Sequence, residues 1–319
     1  MKQAENLYLQ KFNEWLIIKG NTSKTAKSFC KTVGYFLRWI KEENIEKENI
    51  SYNDVLAYVN YLKKKGNQPQ TVQQTVNAIK HFYNCLLNDN EVAENPCSNV
   101  IIKGIKRKTL HEILTPEELE TIYKNYSTTI DVEQLKNIKN TLFVPPQQRN
   151  ELTRKRNKII FGLIIYQGIR TVELEKLQLT DLQLREGQIN IPGSRRTASR
   201  TLQLESHQII DIYDYIHTTR KELLQPSNLP TLKLFTPKGN SDNIQNLMQR
   251  LIQTIKKQNP KVKNSQQLRT SVISNWLKIH NLRKVQYMAG HRYVSSTESY
   301  QQNNIEELQD DIKKYHPIN

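Results

Sequence analysis

The sequence predicts a mainly α-helical protein with one small antiparallel β-sheet. Amphipathic stripes of helical period fill the first hundred residues and return in the second part of the chain, where only two short segments alternate as strands do. With 319 residues, the chain is long enough for two domains with separate cores. We therefore expect a helical bundle over residues 1–100, a basic linker over 101–112, and a second domain with a C-terminal tail helix over 113–319.

Four amphipathic segments with short connections make up the predicted N-terminal bundle. The first ends at Gly20, and residues 21–23 offer polar caps for the second. Ser51 is the expected cap of the third segment, which ends at Gly66, and the fourth runs from about 70 to 87. Their apolar stripes face one another and predict a single small core.

The second domain is predicted to begin with a helix at Thr115, where a Thr cap precedes a Pro and two acidic residues. Residues 125–156 predict a loop insertion, followed by a buried helix from Lys158 that ends near Gly168. The two strands are 188–191 and 201–204, with a polar and basic tip at 193–199. Further helices are expected at 207–224, 241–257, 265–279 and 281–289, with a short one at Tyr300.

The charge of the chain points to a polyanionic partner. Lys and Arg number 47 against 31 Asp and Glu, which gives a formal net charge of +16. Nucleic acid is the first candidate, an anionic membrane surface the second, and a well-solvated surface the third. No apolar run approaches the roughly 20 residues of a spanning helix, and the N-terminus does not have the pattern of a signal peptide.

The three cysteines also limit the possibilities. They are odd in number and lack CxxC spacing, so neither a disulfide framework nor a structural zinc site is expected, and a reducing cytoplasm fits best.

The basic run in the linker has two interpretations, contact with DNA phosphates or a solvated connector. It consists of Lys103, Lys106, Arg107 and Lys108.

Four residues suited to phosphodiester chemistry follow one another along the second domain: Arg170, Arg269, His291 and Tyr300. A phenol hydroxyl attacks phosphorus only when cations and hydrogen-bond donors surround it. Two guanidinium groups can hold the non-bridging oxygens bidentately, and an imidazole can donate to them or help to place a proton. Each residue alone also has a plain structural interpretation, which for Arg170 is a surface pair with Glu173.

The order and spacing of these residues resemble the tyrosine recombinase (lambda-integrase-like) family, especially its simple, Xer-like members. The resemblance covers nearly the whole chain. It implies that the N-terminal bundle is a SAM-like core-binding domain and that the second domain is a recombinase catalytic domain. It further implies that Tyr300 is the nucleophile, that Arg170 and Arg269 bind the phosphate, and that His291 assists them. It implies no metal ion and no other cofactor.

Two positions depart from the family pattern. Gln266 stands where the family usually has His, and Gln can donate a hydrogen bond but cannot carry charge. The hairpin tip has Arg195 and Arg196 where the family has a Lys that protonates the leaving 5′ oxygen. Arg is a poor proton donor, so Arg196 first and Arg195 second are candidates to replace that Lys as an electrostatic group, although both could contact only the DNA backbone. Another group or water would then supply the proton.

The resemblance implies site-specific strand exchange on double-stranded DNA through a 3′-phosphotyrosyl link. Four protomers would assemble on two sites, and the tail stripe of Ile305, Leu308 and Ile312 would dock on a neighbour or pack on its own domain. Integration or excision of a mobile element, dimer resolution and DNA inversion all remain open. The alternatives are a type IB topoisomerase-like activity and a DNA-binding protein of this fold with impaired catalysis.

Overall fold

The structure is a computed structural model that describes residues 2–105, 112–126, 146–194, 197–224, 231–236 and 243–301. The chain divides into two compact units, Met1–Thr109 and Leu110–Asn319. The described segments are mostly helical and contain one three-stranded antiparallel sheet, so the predicted fold class is confirmed.

The described part of the first unit contains four α-helices: α1 (Lys2–Ile18), α2 (Ser23–Glu42), α3 (Tyr52–Lys64) and α4 (Pro69–Asn88). Thr22 caps α2 by accepting the Thr25 N–H at 3.2 Å, and Ser51 forms a reciprocal capping box with Asp54 at the start of α3. Aromatic side chains fill the middle of the bundle, where Phe12 and Phe82 meet edge to face with ring centroids 5.4 Å apart. The predicted four-helix pattern is therefore present.

The second unit combines helices with a small sheet. Its helices are α5 (Pro116–Lys124), α6 (Pro146–Gln167), α7 (Thr171–Leu174), α8 (Ser206–Asp214), α9 (Arg220–Leu224), α10 (Ile244–Gln258), α11 (Ser265–Ile279) and α12 (Leu282–Ala289). The strands are β1 (Leu182–Gln183), β2 (Gln188–Ile191) and β3 (Arg200–Gln203), in the order β1-β2-β3. The hairpin predicted from alternation is β2–β3, in which Ile189 pairs with Leu202.

The prediction of a loop insertion over residues 125–156 is wrong from residue 146 onward. Helix α6 begins at Pro146, twelve residues before the predicted start. Proline is well tolerated in the first turn of a helix because its missing N–H is one that the helix leaves unpaired there. The basic and polar residues that follow lack an apolar stripe, which favours a loop, yet most of them are good helix formers.

The core of the second unit lies around α6 and α11. The apolar residues of α6 from Ile159 to Ile165 are buried, and the inward side chains of the sheet, Ile189 and Ile191, are buried with them. Helix α11 is buried over nine consecutive residues, Gln267–Asn275, including polar ones. A helix buried all round can present a polar side chain to an enclosed site. None of the described helices is long and apolar enough to cross a membrane.

Some residues singled out by the sequence lie outside the described segments. Lys103 is exposed, but Lys106, Arg107 and Lys108 are not among the described residues. The same holds for the tail stripe of Ile305, Leu308 and Ile312.

Candidate active site

Five segments of the second unit meet around the residues that the sequence singled out. They are the turn after α6, helix α11, the turn after α12, the β2–β3 hairpin and the helical residues 295–301. This meeting brings together Arg170, Arg269, His291 and Tyr300, whose charges and rings act on one another.

Arg269 lies in the middle of α11, and its side chain is fully buried. Nη1 donates to the carbonyl oxygen of Gly168, and Nη2 donates to the carbonyl oxygen of Ala289 at 2.6 Å. Its Nε has no hydrogen-bond partner within the described part of the chain. The guanidinium therefore joins the end of α6 to the end of α12 and keeps its Nε–H for another ligand.

The environment of Arg269 is short of negative charge. Burial lowers the pKa of the Arg269 guanidinium below its ordinary value, and the positive charges of Arg170 and Arg200 lower it further. Glu173 and Tyr300 oppose this shift without cancelling it. A guanidinium keeps its proton in proteins, so Arg269 remains a buried cation, and an anion bound beside it would offset part of the cost of burying that charge.

Glu173, in α7, carries the one carboxylate found to pair with an arginine of this cluster among the described residues. Oε1 and Oε2 accept hydrogen bonds from Nη1 and Nη2 of Arg200 at 3.0 and 2.9 Å. Oε2 also accepts the backbone N–H of Arg170 at 2.9 Å. Burial alone would raise the pKa of Glu173, but the hydrogen bonds and charge of Arg200 dominate and lower it. The carboxylate therefore pairs with Arg200, not with the side chain of Arg170.

Arg170 precedes the first turn of α7 and is half-buried. Its guanidinium has no recorded hydrogen-bond partner among the described residues, although its charge lowers the pKa of both Arg269 and His291. This cation lies at the start of a short helix, close to other cations, and no carboxylate partner is recorded for it among the described residues. It is therefore suited to binding an anion.

The turn after α12 is a Schellman motif. Gly290 adopts the left-handed conformation (φ 65°), its N–H bonds to the Tyr287 carbonyl, and the His291 N–H bonds to the Gln286 carbonyl. Its position also requires glycine for space, because a Cβ there would lie 2.4 Å from Nη1 of Arg200. The Gly290 carbonyl accepts the N–H of Ala198, which ties this turn to the hairpin.

Replacement of Gly290 by Ala is expected to destabilise the second unit by at least about 2 kcal/mol, because backbone strain adds to the clash with Arg200. Gly187→Ala is the matched control. Gly187 has φ 64°, but a Cβ there meets the flexible Ile209 Cδ1 at 3.2 Å and the Gln203 Oε1 at an ordinary 3.9 Å, so the cost is about 1 kcal/mol of backbone strain. Urea unfolding of both variants measures the difference, and equal losses would contradict the role given to the Arg200 contact.

His291 is buried beside Tyr300. Its Nδ1 lies 2.9 Å from the hydroxyl oxygen of Thr297, which orients the ring, and no partner is recorded for Nε2 within the described chain. Burial and the positive charges of Arg269 and Arg170 lower the pKa of His291 to about 4. The imidazole is therefore neutral at pH 7 in the DNA-free protein, where it can donate a hydrogen bond or accept a proton.

Tyr300 lies in the helical residues 295–301 of the same chain. Its ring stacks on His291 with the centroids 5.7 Å apart and the planes 17° apart. The Tyr300 side chain also packs against a small apolar cluster that includes Ile273 and Val285. No hydrogen bond of the Tyr300 hydroxyl to another described residue is recorded. Packing thus holds the ring, while the hydroxyl remains available to react.

The charges of the cluster do not balance. Three guanidinium groups (Arg170, Arg200 and Arg269) surround one carboxylate, Glu173, so three positive charges minus one negative charge leave an excess of two. Unpaired charge in a buried place costs several kcal/mol, and an anion bound there would relieve that cost. With a phenol hydroxyl at its edge, the cluster can hold a phosphodiester and present it to a nucleophile.

The structure does not bring every predicted residue into this cluster. Gln266 lies on the first turn of α11, one helical turn before Arg269, and is exposed. Arg195 and Arg196 lie outside the described residues. The flanks of the hairpin tip are described: the backbone of Thr197 pairs with that of His291, and the hydroxyl groups of Ser194 and Thr197 lie 2.8 Å apart.

Sequence reasoning missed Arg200 and did not assign a role to Thr297. Arg200 is the first residue of the short strand β3 and is buried, but a charged residue at a strand end is usually expected to be exposed. No local signal marks it, because the burial of its partner Glu173 becomes apparent only in the folded chain. No group of three or more His, Cys, Asp or Glu among the described residues is arranged to hold a metal ion.

A helical bundle, a mainly helical second unit and a tyrosine beside clustered arginines together define the class of tyrosine-type DNA strand-transferring enzymes. Comparison with known families agrees: the phage integrase family profile matches residues 112–307, and the phage integrase N-terminal SAM-like domain profile matches residues 8–91. The first match spans more than half of the chain. The chain therefore belongs to the phage integrase family.

The relatives found by sequence are tyrosine recombinases. The tyrosine recombinase XerC of Anoxybacillus flavithermus is 24% identical over 305 residues, which cover 92% of each chain. Among solved structures, XerH site-specific recombinase bound to a palindromic difH substrate covers 91% of this chain and 79% of its own, with 18% identity and a TM-score of 0.64. A lambda integrase tetramer bound to a Holliday junction has a TM-score of 0.63, with 12% identity and coverage of 92% and 76%.

Proposed function

We propose that this protein cuts and rejoins DNA strands at a specific site through a 3′-phosphotyrosyl intermediate. In the cleavage step, the Tyr300 oxygen forms a bond to phosphorus, the phenolic proton leaves, and the bond from phosphorus to the 5′ oxygen breaks. The 5′ oxygen takes up a proton and leaves as a hydroxyl. Rejoining reverses these changes with the 5′ hydroxyl of a partner strand, so neither hydrolysis nor an external energy source is needed.

The observation that carries this proposal is the excess of positive charge beside the stacked pair of His291 and Tyr300. The negative charge that develops on the non-bridging oxygens is stabilised by fixed donors, each of which typically contributes roughly 100- to 1,000-fold in rate. In this proposal Arg170 and Arg269 supply those donors. Neutral His291 donates to an oxygen or receives the phenolic proton.

The surface of the first unit supports duplex DNA as the partner. A cleft of about 480 Å³ lies between α2, α3 and α4 and is lined by aromatic, basic and small polar side chains, together with Glu42 and Leu62. Arg38 lies 4.8 Å from the Tyr35 ring centroid, and Lys65 lies 4.3 Å from that of Tyr61. Cations placed over surface rings suit contact with a phosphate backbone, and we propose that this face and the basic run from Lys103 to Lys108 bind the duplex.

Assembly and biological setting are further parts of the proposal. We propose that four protomers act on two DNA sites, with the tail stripe of Ile305, Leu308 and Ile312 docking on a neighbour. Integration or excision of a mobile element and resolution of DNA are both compatible with this chemistry. Reduced cysteines, two of them buried, fit action in the cytoplasm.

A trapping experiment tests the proposal. Duplexes with a randomised core and a nick next to the cleavage position lose the short 5′-hydroxyl fragment after cleavage, so the covalent adduct accumulates. We expect SDS-resistant adducts that map by mass to Tyr300, and sequencing of the trapped DNA gives the target site. Binding without any adduct would favour the catalytically impaired protein, while relaxation of unselected plasmid by a monomer would favour the topoisomerase.

A further inference from the structure

Arg200 is a buried residue that joins separate segments of the site. Its side chain is fully buried, and its two terminal nitrogens pair with the two carboxylate oxygens of Glu173 at 3.0 and 2.9 Å. Bidentate pairing fixes both groups in one plane, which gives geometric definition as well as energy. The fork of Arg200 is therefore committed to a carboxylate within the protein.

The first segment held by this pair is the one that presents Arg170. Oε2 of Glu173 accepts both the Arg200 Nη2–H and the backbone N–H of Arg170 at 2.9 Å. Helix α7 has only four residues, too few to hold its own geometry. The position of the Arg170 backbone consequently depends on the carboxylate, and the carboxylate depends on Arg200.

The second segment is the turn that presents His291. Gly290 packs so closely on Arg200 that an added Cβ would lie 2.4 Å from Nη1 and 3.0 Å from Cζ. The strand that Arg200 begins is preceded by Ala198, whose N–H bonds to the Gly290 carbonyl at 3.1 Å. One guanidinium thus lies between the turn of Arg170 and the turn of His291.

We propose that Arg200 is a positioning residue for strand transfer, which holds Arg170 and His291 in a fixed relation through Glu173 and Gly290 without itself binding the DNA phosphate. This inference rests on the proposed function for its catalytic consequence, but its structural part can be measured without DNA. Two other roles are possible for a buried arginine here. Arg200 could bind the phosphate directly through its unpaired Nε, or it could stabilise the fold alone.

A double-mutant cycle separates positioning from direct binding. We compare Arg200→Lys, Glu173→Gln and the double variant in single-turnover cleavage of the trapping substrate selected with the wild type. Each single change is expected to slow cleavage roughly 100-fold, the cost of a small misplacement of a catalytic group. If Arg200 acts through Glu173, the double variant is about as slow as either single one. If the rate loss of the double variant equals the product of the two single-variant losses, the proposal is overturned.

Arg220→Lys is the matched control for stability. Arg220 is also a buried arginine of the second unit, and it donates to the backbone carbonyls of Thr231 and Lys233, away from the Tyr300 cluster. We expect it to lower thermal stability without slowing cleavage. DNA affinity of the Arg200 and Glu173 variants should stay within a few-fold of the wild type. Equal slowing by Arg220→Lys would mean that lost stability alone explains the effect.

An NMR measurement on the DNA-free protein tests positioning independently of catalysis. Arg200→Lys should speed hydrogen exchange at the Arg170 amide and shift the His291 ring resonances, while Arg220→Lys does neither.

If Arg200→Lys does not fold, Gly290→Ala serves instead, because it displaces the guanidinium without removing it. It must give the same two signals, with Gly187→Ala as its control. An unchanged Arg170 amide would overturn the proposal. Absence of any wild-type adduct would instead overturn the proposed function.

Discussion

Tyr300→Phe is expected to abolish the covalent adduct while leaving the fold and DNA affinity unchanged. Phenylalanine lacks the oxygen that would bond to phosphorus, and loss of a catalytic nucleophile typically costs roughly a million-fold in rate. The fold should tolerate the change because the ring is held by His291 and the apolar cluster. The hydroxyl has no recorded hydrogen bond to another described residue, so its loss leaves no partner unsatisfied.

The measurement is adduct formation on the nicked duplex, with binding measured by gel shift and stability by thermal unfolding. Tyr293→Phe is the matched control, since Tyr293 lies in the same segment seven residues earlier and is 72% exposed. It should form adduct at the wild-type rate. Adduct formation by Tyr300→Phe would assign the nucleophile to another residue and contradict the proposed mechanism.

How far the sequence could predict this molecule depends on the range of the interaction involved. Helix caps are local, and the cap predicted at Ser51 is present as a capping box with Asp54. Apolar periodicity is also local, and it correctly placed the four-helix bundle and the β2–β3 hairpin. The start of α6 was missed because its first turns are polar on every side and have no periodic apolar stripe.

The site was only partly predictable for the same reason. Spacing along the chain singled out Arg170, Arg269, His291 and Tyr300, and the structure brings these four together. Their roles in strand transfer remain a prediction. Arg200 could not be found in this way, because its partner Glu173 is 27 residues away and the contact depends on the hairpin folding back onto α7.

A sulfur-for-oxygen substrate is expected to reveal how the leaving group is protonated. Replacing the bridging 5′ oxygen with sulfur makes the leaving group a thiolate, which needs no proton because thiols are far more acidic than alcohols. Loss of a general acid should slow the oxygen substrate roughly 100- to 10,000-fold and leave the sulfur substrate almost unaffected. Because a guanidinium is a poor acid, we expect Arg196→Ala to slow both substrates alike, as the loss of an electrostatic group does, and Arg195→Ala to slow them less.

Three variants complete the comparison. Arg196→Lys restores the type of group that the family uses and should cleave the oxygen substrate at least as fast as the wild type. Arg185→Ala is the charge control, since Arg185 is exposed in the turn between β1 and β2 and its loss removes one positive charge away from the hairpin tip. Gln266→Ala should slow both substrates equally, since an amide can donate to the phosphate but cannot supply a proton.

The loss of cleavage rate on the oxygen substrate, compared with the loss on the sulfur substrate, decides between the interpretations of the hairpin arginines. A guanidinium is a poor acid, so an arginine that only stabilises charge would slow the oxygen and sulfur substrates alike when it is removed. Selective slowing of the oxygen substrate would instead mean that Arg196 delivers the proton or orders the water that does. Equal rates for Arg196→Ala, Arg195→Ala and the wild type on both substrates would exclude both arginines from protonation. In that case the cluster of Arg170, Arg269 and His291 has to supply the whole of the rate, with bulk water as the acid.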